Sequence, residues 1–219
     1  MKTAILVDGG FYRKRATRCL GDVTPTERAR ELELYCKRHL TERHQDRHEL
    51  YRIFYYDCPP MQRGIYHPLR KTDENFFKNP HSIWMRDFLN ELRNKRKFAL
   101  RLGNVSEKTA AFTLKPDITK KLFQGKIALT DITESDFRFT AQQKGVDMKI
   151  GIDIASMAYK KQVDQIILIS GDSDFVPVAK LARREGIDFI LDSLHFKVKD
   201  DLLEHIDGLR TCDNRFKDK

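Results

Sequence analysis

The sequence predicts an α/β protein built on a mainly parallel central sheet. Three observations predict it: apolar runs at TAILV (3–7) and QIILIS (165–170) without polar alternation, helical repeats between such runs, and a C-terminal third in which strands and helices alternate. Strands that are apolar throughout belong to sheets covered on both faces. Strands alternating with helices imply parallel pairing through right-handed crossovers.

Taken in order, the first run ends in Asp8-Gly9-Gly10, a strand passing into a tight turn. Leu32, Tyr35, Cys36 and Leu40 recur at helical spacing downstream of Pro25, which predicts a helix over 27–48. LYRIFYY at 50–56 reads as a second strand, stopped by Pro59-Pro60. Residues 57–82, polar and broken by Pro68 and Pro80, read as a long surface loop with a basic stretch from Arg63 to Lys71. A helix over 82–96 leads to a strand at 98–102, FALRL. Short strands at 112–114 and 137–139 and a helical turn at 119–123 are expected next. The remainder reads as a helix over 147–161, a strand at 165–170, a helix over 174–185 and a strand, IDFIL, at 187–191. No repeat, low-complexity tract or linker stands out. One domain over 1–219 is expected, with a variable insertion at about 57–140.

Hydrophobic residues make up 40% and charged residues 33% of the 219, a globular rather than a disordered balance. No apolar run approaches the roughly 20 residues of a membrane helix. MKTAILVDGGF reaches an acid too soon to be a signal peptide, so a cytoplasmic protein without a membrane partner is expected. Cys19, Cys36, Cys58 and Cys212 are scattered without a CxxC pair and read as reduced small hydrophobes, not zinc ligands. Lysine and arginine number 41 against 32 acids, a net +9. That excess favours a polyanionic partner through counterion release, although solubility alone would explain it as well.

The acids decide between these. In open α/β sheets ligands bind beyond the carboxyl ends of the strands. Asp8 directly follows the first strand, and Asp172 and Asp174 follow QIILIS in SGDSDF. If those strands are neighbours, three carboxylates meet and repel one another unless a cation joins them. An all-oxygen set suits Mg²⁺ or Mn²⁺ rather than zinc. Asp147 opens the next helix, where Ile150, Ile154, Met157 and Ala158 form the apolar stripe with Asp147 and Asp153 flanking it. A carboxylate beside a core needs a partner, so Asp153 is expected to meet a cation or a hydrogen-bond donor. Asp147 and Asp174 could be simple helix caps, and Asp8 a turn residue. One shared ion accounts for all of them together.

Lys144 and Lys149 flank Asp147, and Arg13 and Lys14 follow the first strand; these are candidate phosphate contacts. Arg63, Arg70 and Lys71, with Tyr66 and Phe76, could form a stacking platform for single strands. His44 and His48 stand one helical turn apart in a strongly polar setting and read as an exposed helix face, not a ligand pair. Aspartyl-phosphate chemistry would want DxD after the first strand, where residue 10 is glycine.

The segments ILVDGGF (5–11), QKGVDMKIGIDIA (143–155) and QIILISGDSDFVPVAKLARREGIDFIL (165–191) together resemble the NYN family, in its LabA-like branch, within the PIN-like nucleases. The resemblance implies a Rossmann-like, PIN-type three-layer fold and an endoribonuclease that cuts single-stranded RNA with Mg²⁺ or Mn²⁺. By motif match Asp8, Asp147, Asp172 and Asp174 would hold the metal, with Asp153 beside them. Many members carry asparagine after the first aspartate, as DGxN. Here Gly9, Gly10 and Phe11 follow Asp8, leaving Ser170 and Ser173 as candidates for polar contacts with substrate. A non-catalytic RNA-binding or regulatory module of the same fold is the alternative, and a homodimer is a permitted assembly.

Overall fold

A computed structural model describes residues 1–41 and 48–217. In β1 (Lys2–Asp8) every residue from Thr3 to Val7 is fully buried. Side chains alternate across a strand, so Ala4 and Leu6 enter one core while Ile5 and Val7 enter another. This is why the run shows no polar alternation. The chain turns at Asp8 directly into α1 (Gly9–Leu20). α2 (Pro25–Arg38) starts on a capping box, with Thr24 and Glu27 each bonding the other's backbone, and Pro25 as its first residue.

The helix expected over 27–48 thus starts earlier and ends at Arg38, and residues 42–47, His44 among them, lie outside the described residues. His48 is not on an exposed helix face. It is buried, with Nδ1 3.2 Å from both Thr3 Oγ1 and Gln165 Oε1.

β2 (Glu49–Asp57) is followed by β3 (Gly64–His67) and β4 (Thr72–Asn75), an antiparallel hairpin where a loop was expected. α3 (Pro80–Arg93) and β5 (Phe98–Leu102) come next. β6 (Asn104–Leu114), α4 (Pro116–Phe123) and β7 (Phe137–Lys144) then form a ribbon whose strands are longer than the short ones expected. Both hairpins are mostly exposed and knot around a small aromatic cluster, with Phe76–Phe139 at 4.4 Å and His67–Phe112 at 4.5 Å between ring centroids. So small a core leaves little hydrophobic periodicity to read.

α5 (Val146–Tyr159), β8 (Gln165–Ile169), α6 (Val176–Arg184), β9 (Asp188–Asp192), α7 (Asp200–Leu203) and β10 (Gly208–Leu209) complete the chain. A 3₁₀ turn over Ser173–Phe175 takes the place of the first turn expected for α6. Six strands pair all-parallel in the order β10-β9-β8-β1-β2-β5. Residues of α1, α2 and α3 pack on one face and those of α5 and α6 on the other, giving three layers of the Rossmann-like, PIN-type kind. From β1 the chain proceeds to β2 and β5, then returns to the other side of β1 for β8, β9 and β10. The order reverses between β1 and β8, where such sheets open a crevice. Among the described residues no helix is long and apolar enough to cross a membrane.

Gly9 is fixed by contact. A Cβ there would stand 2.5 Å from the Tyr55 ring and 2.6 Å from Asp57 Oδ2. Alanine is favoured over glycine by about 1 kcal/mol inside a helix, so propensity and packing predict opposite signs. Packing should dominate: Gly9→Ala is expected to lower the melting temperature, and an unchanged or higher value would show that α1 can lift off β2.

Candidate active site

A cleft of about 570 Å³ opens at the carboxyl end of the sheet, over the β1/β8 crevice. Asp8, Asp57, Asp147 and Asp172 line it, together with Lys14, Lys199, Phe11 and Phe196. Val7 pairs with Ile169 in the β1–β8 ladder, so the chain leaves both strands at one level. Asp8 caps α1, its Oδ1 accepting from Phe11 N at 3.0 Å, while Oδ2 accepts from Ser170 Oγ at 3.1 Å. Ser170 Oγ in turn accepts from Asp172 N at 3.3 Å, and Asp172 Oδ1 caps the 3₁₀ turn through Asp174 N at 3.0 Å. Asp147 lies in the first turn of α5, which begins after left-handed Gly145, φ 83°. Capping therefore falls on Asp8 and Asp172 rather than on Asp147 and Asp174, where it was expected, and it orients two carboxylates that also line the cleft.

Charge ties the acids together. Burial holds the Asp8 carboxyl above the usual range; hydrogen bonds from Phe11 and Ser170 oppose the rise, and Asp147 and Asp57 add to it. Asp147 is raised by partial burial and then by Asp172 and Asp174. Among the described residues no ion pair joins Asp8, Asp147, Asp172 or Asp174 to a basic side chain. The donor chemistry, carboxylate oxygens around one cleft without a basic partner, fits a hard divalent cation. Among the described residues no three Asp, Glu, His or Cys side chains form a ready-made cage for an ion. Asp147, Asp172 and Asp174 are exposed and can reorient, whereas Asp8 is fixed from both sides.

Other expected site residues are placed differently. Asp153 lies outside the cleft lining, its Oδ2 accepting from Tyr56 Oη at 2.8 Å and Arg101 Nε at 3.0 Å, which ties α5 to β2 and β5. Its expected partner is thus a donor pair within the fold. Arg13 is turned to a buried acid, with Nε 2.9 Å from Asp57 Oδ2 and Nη2 3.1 Å from Oδ1, so it neutralises Asp57. Lys144 and Lys149 are exposed but line no part of the cleft. Ser170 is fully buried and positions Asp8, so it does not face substrate; Ser173 does line the cleft. The stacking platform also dissolves. Arg70 pairs with Glu134 and Glu74, Arg63 with Glu107, and Phe76 joins the aromatic cluster.

Sequence reading missed Asp57, Lys199 and Phe196. Asp57 was within reach, since it ends the second strand as Asp8 ends the first. Phe196 follows the last predicted strand in a loop without a motif; it meets Phe11 edge-on at 6.0 Å, with the Arg15 guanidinium 5.8 Å from its ring. Arg15 itself is buried, bonding the carbonyls of Leu194 (3.0 Å) and Phe216 (2.6 Å), and so anchors this loop.

Comparison with known proteins bears on the family and the fold. The model of the NYN domain matches residues 65–207, more than half of the chain. The matched span contains Asp147, Asp172 and Asp174 and begins after Asp8 and Asp57. No curated protein matches the chain. A crystal structure of a protein of unknown function from Vibrio parahaemolyticus superposes with a TM-score of 0.50 at 18% identity, covering 98% of this chain and 94% of that one. At that identity the likeness supports the fold alone.

Two outcomes follow. A carboxyl group whose folded pKa lies above its unfolded value makes the native chain bind more protons between the two, so stability rises as pH falls through the raised value. Asp8→Asn keeps the cap and removes the charge. In EDTA its melting temperature should exceed the parent's at pH 7, with the gap closing towards pH ~4 where an unfolded carboxylate protonates; a gap independent of pH would overturn this. Arg13→Met strands Asp57 and should cost about 3–5 kcal/mol in urea unfolding, largely recovered by adding Asp57→Asn.

Proposed function

Because the chain belongs to the NYN domain family, within the PIN-like nuclease superfamily, we propose that it is an endoribonuclease hydrolysing phosphodiester bonds in single-stranded RNA with the help of Mg²⁺ or Mn²⁺. One observation carries the reading. Acids from β1, β8 and the start of α5 share one cleft at the sheet's switch point, and they do so without basic partners.

Asp8, Asp147, Asp172 and Asp174 would hold the ion, which when bound supplies charge neutralisation at the phosphate and a more acidic water. The protein's own groups account for the rest. Asp8 is the fixed reference point, set by Phe11 N and Ser170 Oγ. Lys14 and Lys199 at the cleft wall offset the backbone charge of an incoming strand. Phe11 and Phe196 offer aromatic surface on which an unpaired base can stack, a contact that tolerates any sequence. Unpaired bases are required, so duplexes should be poor substrates. The raised carboxyls of Asp8 and Asp147 must lose their protons to bind a cation, so affinity for it falls as pH falls.

The open spacing of the acids favours a second reading, a binding module that holds RNA without cutting it. Both are decided by incubating labelled single-stranded RNA, duplex RNA and DNA with the protein, in EDTA and in Mn²⁺. Cleavage of single-stranded RNA in Mn²⁺ alone is expected. Ser170→Ala should lose about 10–100-fold, the scale of an altered supporting contact, and Asp172→Asn more than that. Binding without cleavage in Mn²⁺ would establish the module, and full activity in Asp172→Asn would remove that residue from the site.

A further inference from the structure

A second cavity, about 720 Å³, lies on the other flank of α1 from the acid cleft. Val23, Pro80, His81 and Trp84 form its walls. Trp84 is held for presentation: its indole Nε1 donates to the Val23 carbonyl at 2.8 Å, and its ring stacks on buried Phe88 at 5.1 Å and 18°. Arg13 and Arg28 also border the cavity, but their guanidiniums are engaged by Asp57 and by Glu31 and the Gly21 carbonyl. Asp22 stands at the rim as well. Those walls suit a planar ring better than a phosphate, and the volume lies in the range of small-ligand pockets.

The two cavities are not separate. Lys14 and Arg18 line both. At about 100° per residue, Phe11, Lys14, Arg15 and Arg18 cover the flank of α1 facing the acids, while Arg13, Lys14, Thr17 and Arg18 cover the flank facing Trp84. Lys14 and Arg18 form the exposed ridge between, four residues apart.

We propose that the Trp84 cavity is a base-binding subsite of the same RNA strand: the strand crosses α1 at Lys14, a phosphate beside that ammonium, and places an unpaired base against Trp84. The proposal rests on the nucleic-acid reading of the acid cleft for its ligand, though not on cleavage. It predicts affinity that grows with strand length, because a di-nucleotide can occupy the acid cleft without reaching the second cavity.

Trp84 is the chain's single tryptophan, so its emission reports on this cavity alone. The test uses the full chain carrying Asp172→Asn to prevent turnover, titrated with a single-stranded octanucleotide of RNA, a dinucleotide, and inorganic polyphosphate, with binding followed in parallel by anisotropy of labelled strands. Quenching by the octanucleotide but by neither of the others is expected. Thr17→Glu, at an exposed position on the cavity flank of α1, should weaken octanucleotide binding about tenfold, the lower end of one stacked base. In the otherwise unsubstituted protein it should leave dinucleotide cleavage unchanged, and Thr17→Gln should restore tight binding.

Octanucleotide binding without any change in Trp84 emission, or equal quenching by polyphosphate, would overturn the subsite. So would a Thr17→Glu effect equal on short and long strands. Quenching that Thr17→Glu abolishes, in a protein that cuts nothing, would uphold the subsite and remove the nuclease reading. Neither binding nor cleavage would remove both.

Discussion

The cleft depends on β1 and β8 lying side by side in a sheet buried on both faces. Their ladder puts Val7 opposite Ile169, and neither strand can slip without moving residues of two cores at once. Asp8 and the Ser170–Asp172 turn are therefore held at one level, and the hydrogen bond between Asp8 and Ser170 closes the gap. Held in this way, Asp8 keeps its carboxyl buried at the mouth of the cleft, and burial, with a smaller contribution from the neighbouring acids, raises the affinity of Asp8 and Asp147 for protons.

The acids near this edge divide by what neutralises them. Just before its last residue β2 carries two adjacent tyrosines, Tyr55 and Tyr56, which point to opposite faces of the sheet. Tyr55 donates to Asp57, already paired with Arg13, and Tyr56 donates to Asp153, already paired with Arg101. Those two carboxylates complete the fold: one secures the start of α1, the other fastens α5 to the sheet. Asp8, Asp147 and Asp172, which line the cleft, and Asp174, which does not, have no such basic partner among the described residues.

Around the acids the helices do unequal work. α1 packs so closely on β2 that Gly9 has no room for a side chain, which turns its Phe11 and Lys14 flank to the cleft. Arg15, buried beneath, pins the loop that carries Phe196. The hairpins β3–β4 and β6–β7 have a core of their own, knotted by aromatic rings, and β7 delivers the chain to Gly145 and Asp147 at the rim of the cleft.

The sequence by itself determined the parallel sheet, because strands buried on both faces must be written as continuous apolar runs, and it marked Asp8 and Asp172, because each stands just past the end of such a run. It also marked Asp147 through its place at a helix start. Only the tertiary structure decided which acids are neutralised. Arg13 meets Asp57 across 44 residues and Arg101 meets Asp153 across 52, separations that leave no local pattern. The antiparallel ribbon was illegible for a related reason: mostly exposed strands bury too little to impose a period. The place of Trp84 in the cavity on the far flank of α1 was equally hidden, since it follows from how α3 packs near α1.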